Sequence, residues 1–342
     1  MAYTKANFIK ARHLKFVNVN NNCFNKKMNS KKILVLGGSG FLGTNLLQKL
    51  IKRNKNITAT YFKNKKFKKL RGVKYKKVNL ENIEECRKIT KNKEIVIMCA
   101  ANSSGAAIIK KDPLSHLDSN VIMNLNTLKA CYFNKVKKFV FISSNTVYPQ
   151  SKKSMKEDDI NYELYKSYFI VGWMKLFSEK LCEIYSKKLK NKMVTLIIRP
   201  GNLYGPFDKF DIIKSKVIPS LIRKFCNKNE KVDVWGDGKD IKDFLYIDDF
   251  CDVLIKIINK SKTHNTYNVA SGKSVSINHI ISILSKLTTN KKKIKYSRNM
   301  PTMIPFRKIS ISKIKKEFGF KENTSLSQGL NYTLQWYKKN IL

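Results

Sequence analysis

The feature that most restricts this chain is a glycine-spaced turn between an apolar run and a helical pattern. Ile33-Leu34-Val35-Leu36 reads as a buried strand and runs into Gly37-Gly38-Ser39-Gly40-Phe41-Leu42-Gly43. From Phe41 to Ile51 the apolar residues recur at the spacing of an amphipathic helix. In a strand–turn–helix unit the first glycine of such a set makes the tight turn. The second lets backbone approach a pyrophosphate, and the third lets helix pack on strand. The helix start then offers unpaired N–H groups and the positive end of its dipole to phosphate. The expectation is a dinucleotide held at the first strand by Gly37, Gly40, Phe41, Leu42 and Gly43.

Strands and helices keep alternating after that point. Ile57–Tyr61 and the runs 95–99, 139–142 and 194–198 read as strands, while 121–132 and 173–189 read as helices. Such alternation implies an α/β fold, a doubly wound parallel sheet of the Rossmann kind covered on both faces. No internal repeat is visible. Beyond about residue 205 the pattern loosens, which predicts a smaller C-terminal α/β lobe for substrate. The expected division is a leader over 1–30, a dinucleotide-binding domain over 31–205 with 240–260 returning to it, and a substrate lobe from 206–239 and 261–342. Residues 1–30 are polar and basic with no apolar segment, so they do not read as a secretory signal.

The formal charge is +45, from 69 Lys+Arg against 24 Asp+Glu. Only 8 of the basic residues are Arg. Proteins that read phosphates and bases lean on the planar fork of Arg, so the excess predicts a lysine-coated, solvated surface and no nucleic-acid partner. The densest run, Lys63 to Lys77, also lacks aromatics spaced as a stacking platform. No apolar stretch of about 18 residues exists, so no membrane-spanning helix is expected. The 7 cysteines include no C-x-x-C pair, which suits a reducing cytoplasm and predicts neither disulfides nor a metal site. At the end of the second strand an NAD site commonly carries an acid for the ribose hydroxyls. Here Tyr61-Phe62-Lys63-Asn64-Lys65-Lys66 has none, and Lys63 could meet a 2′-phosphate. The cofactor expected is therefore NADP, with NAD as the alternative.

Two further motifs stand downstream: Ser143-Ser144-Asn145-Thr146-Val147-Tyr148-Pro149 and Arg199-Pro200-Gly201-Asn202-Leu203-Tyr204-Gly205-Pro206. With the glycine turn they resemble the extended short-chain dehydrogenase/reductases, which are nucleotide-sugar epimerases, dehydratases and reductases. The resemblance covers roughly residues 31–340. Within that family the chain is most similar to the GDP-L-fucose synthase branch, through Val217-Ile218-Pro219, Val234-Trp235-Gly236-Asp237-Gly238 and the run from Asp243 to Asp249.

The resemblance implies that a Ser, a Tyr and a Lys carry the chemistry. The Tyr exchanges a proton with the sugar oxygen while the nicotinamide exchanges hydride. Ser144 matches the Ser. Lys175 matches the Lys, because Glu179 and Lys180-Leu181-Cys182 follow it in register. Four residues before Lys175, where the Tyr belongs, stands Val171. The nearest upstream tyrosine, Tyr168, is seven residues away, about 10.5 Å along a helix axis against about 6 Å for the usual pair. The branch's Cys and His positions hold Thr146 and Lys216. Basic residues implied to meet the substrate diphosphate are Lys224, Lys242 and Lys308, with Arg223 and Arg307 beside two of them. Trp235 would line the pocket. Pro200 and Asn202 would lie at the nicotinamide end, Asn202 also touching substrate, and Ala100 and Ala101 would pass the cofactor phosphates. The implied function is an NADP-using enzyme on a nucleotide-activated sugar, acting as a homodimer through the helices near 121–132 and 168–189. The alternative is a catalytically reduced cofactor-binding sensor or partner protein, because of Val171.

Overall fold

The computed structural model describes residues 30–64, 67–103, 112–288, 292–300, 302 and 304–342. The expected leader, but for Ser30, and Lys65 and Lys66 lie outside them. β1 (Ile33–Leu36) is wholly buried inside a seven-stranded sheet, between two parallel neighbours. Around it stand β2 (Ile57–Tyr61), β3 (Val73–Lys77), β4 (Ile95–Met98), β5 (Lys138–Ile142), β7 (Val194–Pro200) and β11 (Asn265–Val269). Their order is β11-β7-β5-β4-β1-β2-β3, and every pairing is parallel. Parallel neighbours need crossovers that cover both faces, so the central strands are apolar on both sides. The period of two is visible in β1: Ile33 and Val35 join one core, Leu34 and Leu36 the other.

The first core takes α1 (Phe41–Leu50) and runs into the C-terminal lobe. The second is closed by α2 (Ile83–Thr90), α3 (Asp118–Phe133) and α4 (Phe169–Lys187) through Cys86, Leu128, Cys131 and Cys182. A short β6 (Ser154–Met155) lies between α3 and α4 in sequence and pairs with β14 (Lys308–Ile309). Asn124 of α3 donates to the Ser178 hydroxyl of α4 at 2.9 Å, locking the two helices face to face.

The C-terminal lobe is built on β8 (Asn202–Tyr204), β10 (Ile241–Tyr246) and β12 (Ser274–Ser276), with β9 (Lys231–Trp235) and β13 (Lys293–Ser297) as a separate pair. α5 (Val217–Cys226), α7 (Ile277–Thr288) and α9 (Leu326–Asn340) pack around them, and α8 (Ser312–Phe318) lies against β11. Ser325 and Gln328 form a reciprocal capping box that starts α9.

Within the stretch expected to return to the first lobe, 240–260, α6 (Ile247–Lys260) packs against α1. Residues 241–246 pair with β8 and β12, whereas α6 and β11 make the return, which reaches Val269. Lys49 of α1 bridges Asp248 and Asp252 of α6 at 3.0 Å each. β11 is an edge strand of mixed polarity, Asn-Thr-Tyr-Asn-Val, so it lacks the continuous apolar run that marks the central strands. β3 at the opposite edge escaped the sequence reading for the same reason, being mostly lysine. Among the described residues no helix is long and apolar enough to cross a membrane.

Candidate active site

Four chain segments meet where the parallel strands end, the place an open α/β sheet binds ligands. The first is the glycine turn. Gly37 has φ +80°, and a Cβ there would stand 2.6 Å from the Ala100 Cα; a Cβ on Gly43 would stand 2.2 Å from the Gly37 carbonyl oxygen. Both contacts are with backbone and cannot be relieved by a rotamer. The turn is tied to β2, since the Gly38 N–H donates to the Thr60 carbonyl at 2.7 Å and the Gly37 N–H to the Thr60 hydroxyl at 3.1 Å. α1 begins at Gly40 with no side-chain cap and no acid in its first turn. Its leading amides, from Phe41, Leu42 and Gly43, are thus left for a phosphate. These residues fit a dinucleotide.

The second segment follows β4. Ala100 lies against Gly37, and Ala101 to Ser103 are exposed. Asn120 of α3 pins this loop, accepting from the Asn102 N–H at 2.9 Å and donating to the Asn102 carbonyl at 3.0 Å. Lys63, just past β2, is exposed, and no acid stands in the run from Tyr61 to Asn64. Asn64 itself donates to the Ser39 carbonyl of the glycine turn at 3.3 Å.

The third segment follows β5. Ser144 starts a single 3₁₀ turn over Asn145–Val147 and accepts from both the Thr146 N–H (3.1 Å) and the Thr146 hydroxyl (2.9 Å). With both acceptor positions used, the Ser144 hydroxyl keeps its own proton to donate. Asn145 donates to the Pro200 carbonyl at 2.9 Å, joining this turn to the end of β7.

The fourth is the start of α4. Lys175 donates to the Ile142 carbonyl at 2.9 Å, and its ammonium lies 4.8 Å from the Phe141 ring centre. Burial lowers its pKa to about 8, with repulsion from Lys216 adding to the shift and Glu179 opposing it. Tyr168 is the residue before the first turn of α4, at the end of a short 3₁₀ segment. Burial pushes its hydroxyl up to about 12. Val171 is half-buried beside Gly172, and Gly172 lies so close to the Thr146 carbonyl that a Cβ would stand 2.9 Å from it.

Beneath Ser144 lies a polar network that sequence reasoning did not find. Glu179 accepts two bonds from Arg199, at 3.0 and 2.7 Å, and one from the Ser143 hydroxyl. Arg199 also donates to the Tyr148 hydroxyl at 3.0 Å, and Tyr148 to the Asn268 side-chain oxygen at 2.6 Å. Arg199 and Glu179 are both buried. Arg is rare in this chain, so an Arg at the end of an apolar strand was the available signal.

On the substrate side, Lys216 is the residue preceding α5, within electrostatic reach of Lys175, Lys209 and Asp208. Lys209 donates to the Ser103 carbonyl at 2.7 Å, and the Asp208 carboxylate holds one buried oxygen without a partner among the described residues. Sequence reasoning passed over both residues. Trp235 is half-buried with the Lys224 ammonium 5.7 Å from its ring centre. Lys224 donates to the Asp233 carbonyl at 2.6 Å, and Lys242 pairs with Asp240 at 2.7 Å. Lys308 is exposed and lies over the Phe306 ring. Asn202 donates to the Asp243 carbonyl at 2.9 Å. Arg307 is buried, and its guanidinium donates to the carbonyls of Tyr148 and Pro149. The described residues contain no group of three His, Cys, Asp or Glu able to hold a metal ion.

The model for the NAD dependent epimerase/dehydratase family matches residues 33–270. The chain belongs to that family. Among curated members it is 26% identical over 324 residues to a GDP-L-fucose synthase of Sinorhizobium fredii, covering 92% of this chain and 98% of that protein. It is also 26% identical to a GDP-mannose 3,5-epimerase of Arabidopsis thaliana, covering 91% and 83%. The fold matches that of UDP-glucose 4-epimerase from Thermotoga maritima at a TM-score of 0.80 and 23% identity, over 91% of this chain and 99% of that one. Members of the family act on nucleotide sugars by epimerisation, dehydration or reduction.

Proposed function

We propose that this family member is an NADP-dependent nucleotide-sugar epimerase/reductase of the GDP-L-fucose synthase type, taking a 4-keto-6-deoxy sugar nucleotide or a related nucleotide sugar. The observation that carries the reading is the meeting of the uncapped α1 amides, the proton-donating Ser144 and the desolvated Lys175 at one sheet end. A nicotinamide dinucleotide supplies hydride exchange there when bound. Gly37, Gly40 and the α1 amides would hold its pyrophosphate, Ala100 and Ala101 its flank, Lys63 its 2′-phosphate, and Pro200 and Asn202 its nicotinamide end. Lys224, Trp235, Lys242 and Lys308 would hold the sugar nucleotide. Ser144 donates to the reacting sugar oxygen, which lowers the cost of charge developing there. Lys175, charged below pH 8, orients the cofactor and adds positive potential. With Val171 in the usual tyrosine position, the proton donor would be Tyr168, Lys216 or a water. Thr146 spends its hydroxyl on Ser144 and acts as a support.

A second reading stands on Val171: a catalytically reduced, cofactor-binding partner of an active enzyme. Turnover of NADPH with a panel of GDP- and UDP-linked sugars, including 4-keto-6-deoxy forms, separates the two. Slow turnover is expected, with a gain of about tenfold or more in Val171→Tyr, as restored acid catalysis would give. Tight NADPH binding with no turnover by either protein would establish the second reading instead.

The reading extends to a homodimer in a reducing compartment. α3 and α4 leave Ile122, Leu125, Phe133, Phe169, Trp173, Phe177 and Ile184 exposed on one face, an apolar patch a lone chain rarely shows. The 6 described cysteines are all free. Light scattering should return twice the chain mass; a monomer at micromolar concentration would remove the dimer.

A further inference from the structure

Arg307 is among the largest fully buried side chains, at 2% exposure, and no carboxylate pairs with it among the described residues. Its two terminal nitrogens donate to the Pro149 carbonyl at 2.7 Å and to the Tyr148 carbonyl at 3.0 Å, while its Nε is buried without a partner among the described residues. Burial lowers its pKa to about 10. A cation taken out of water on two carbonyl dipoles is an expensive way to join two loops. A neutral, well-packed side chain would cost less if fold stability were all that was at stake. The joint it makes is specific, however. Tyr148 and Pro149 end the turn that carries Ser144 and Thr146. Arg307 itself lies in the segment that carries Lys308. Its N–H donates to the Ile241 carbonyl at 2.9 Å, next to Lys242, and Lys308 is in register with Ser154 of β6. One guanidinium thus spans from the segments bearing Lys242 and Lys308 to the turn bearing Ser144.

We propose that Arg307 is a positioning residue that transmits occupancy of the diphosphate site at Lys242 and Lys308 to the Ser144 turn. This rests on the reading of Lys242 and Lys308 as the nucleotide diphosphate contacts. A diphosphate that draws these lysines inward fixes the 306–309 segment. Arg307 carries that fixation to the carbonyls of Tyr148 and Pro149, and the turn settles with Ser144 in place. Its unsatisfied Nε and unpaired charge make the joint sensitive to an anion arriving nearby, because a buried cation without a counter-ion gains most from one.

Amide hydrogen exchange reads this without requiring turnover. GDP and UDP serve as probes, and each protein's affinity for them is measured first. In the wild type, saturating nucleotide should slow exchange in a peptide covering 143–150 by about fivefold or more. In Arg307→Met that slowing should vanish, while nucleotide affinity stays within about threefold of wild type. Lys308→Gln should lose affinity outright. Arg307→Lys keeps the charge and one of the two bonds and should show part of the slowing. It also carries the test if the methionine variant does not fold. The proposal is overturned if the 143–150 peptide of Arg307→Met still slows as in the wild type, if Arg307→Lys slows in full, or if Arg307→Met loses nucleotide as Lys308→Gln does. Nucleotide binding to the wild type with no response at 143–150 also overturns it, and leaves the functional reading intact. If neither nucleotide binds the wild type, that reading falls first and the proposal with it.

Discussion

The two sides of Ser144 are built on opposite terms. Below it, Glu179, Arg199, Tyr148 and Asn268 form a closed set in which each charge meets a partner at 2.6 to 3.0 Å. Above it, Lys216 acts on both Lys175 and Lys209, and the acids beside Lys209 are Asp208 and Asp211, the former with one buried oxygen unpaired among the described residues. The lower side is satisfied by the protein alone and so holds its shape in any state. The upper side is left short of anions, as a surface is when its partners arrive with the ligand.

Breaking the lower side should cost the most. Arg199→Met would leave the Glu179 carboxylate buried without its cation, a loss of about 3–5 kcal/mol in unfolding free energy by denaturant titration. A loss below about 1 kcal/mol would mean that the network is wetter than its burial implies.

A change on the upper side should have the reverse sign. Lys175 titrates at about 8 in the folded chain, below the lysine reference of 10.5. Between those values the unfolded chain binds more protons, so this residue makes stability rise with pH. Lys175→Met should therefore melt a few degrees higher than wild type at pH 7, and the gap should close as pH rises toward 10.5. The same variant should bind NADPH more weakly. A lower melting temperature at pH 7 would place Lys175 with the stabilising set instead.

These two sides were unequally legible. Central strands such as Ile33–Leu36 and Ile95–Met98 announce themselves, because burial on both faces demands unbroken apolar runs. The glycine turn was equally plain, since its spacing answers backbone geometry. Edge strands were not, because half of each faces water. Among site residues, Ser144 and Lys175 followed from motif register, and so did the valine at 171. The Arg199–Glu179 pair could not be read, because nothing local says that residues 20 apart will share a buried space. Arg307 shows the opposite hazard: its neighbour suggested a ligand contact, yet only packing reveals that its side chain turns inward to backbone carbonyls. Lysine was the least informative type of all. Lys138 and Lys292 donate to backbone carbonyls at the ends of α6 and α5, work that any nearby lysine could do.

The lysine-rich β3 has a consequence for the chain in a crowded solution. Among the described residues it pairs with β2 alone and forms one border of the sheet, where its backbone amides and carbonyls have no partner strand. Such a border is a template on which a second chain could add strand to strand. Lys74, Lys76 and Lys77 are exposed along it, so two copies approaching border to border meet like charge before any backbone bond can form. That protection is electrostatic and weakens as salt shortens the range of repulsion. Part of the surplus charge thus acts as a guard against self-assembly.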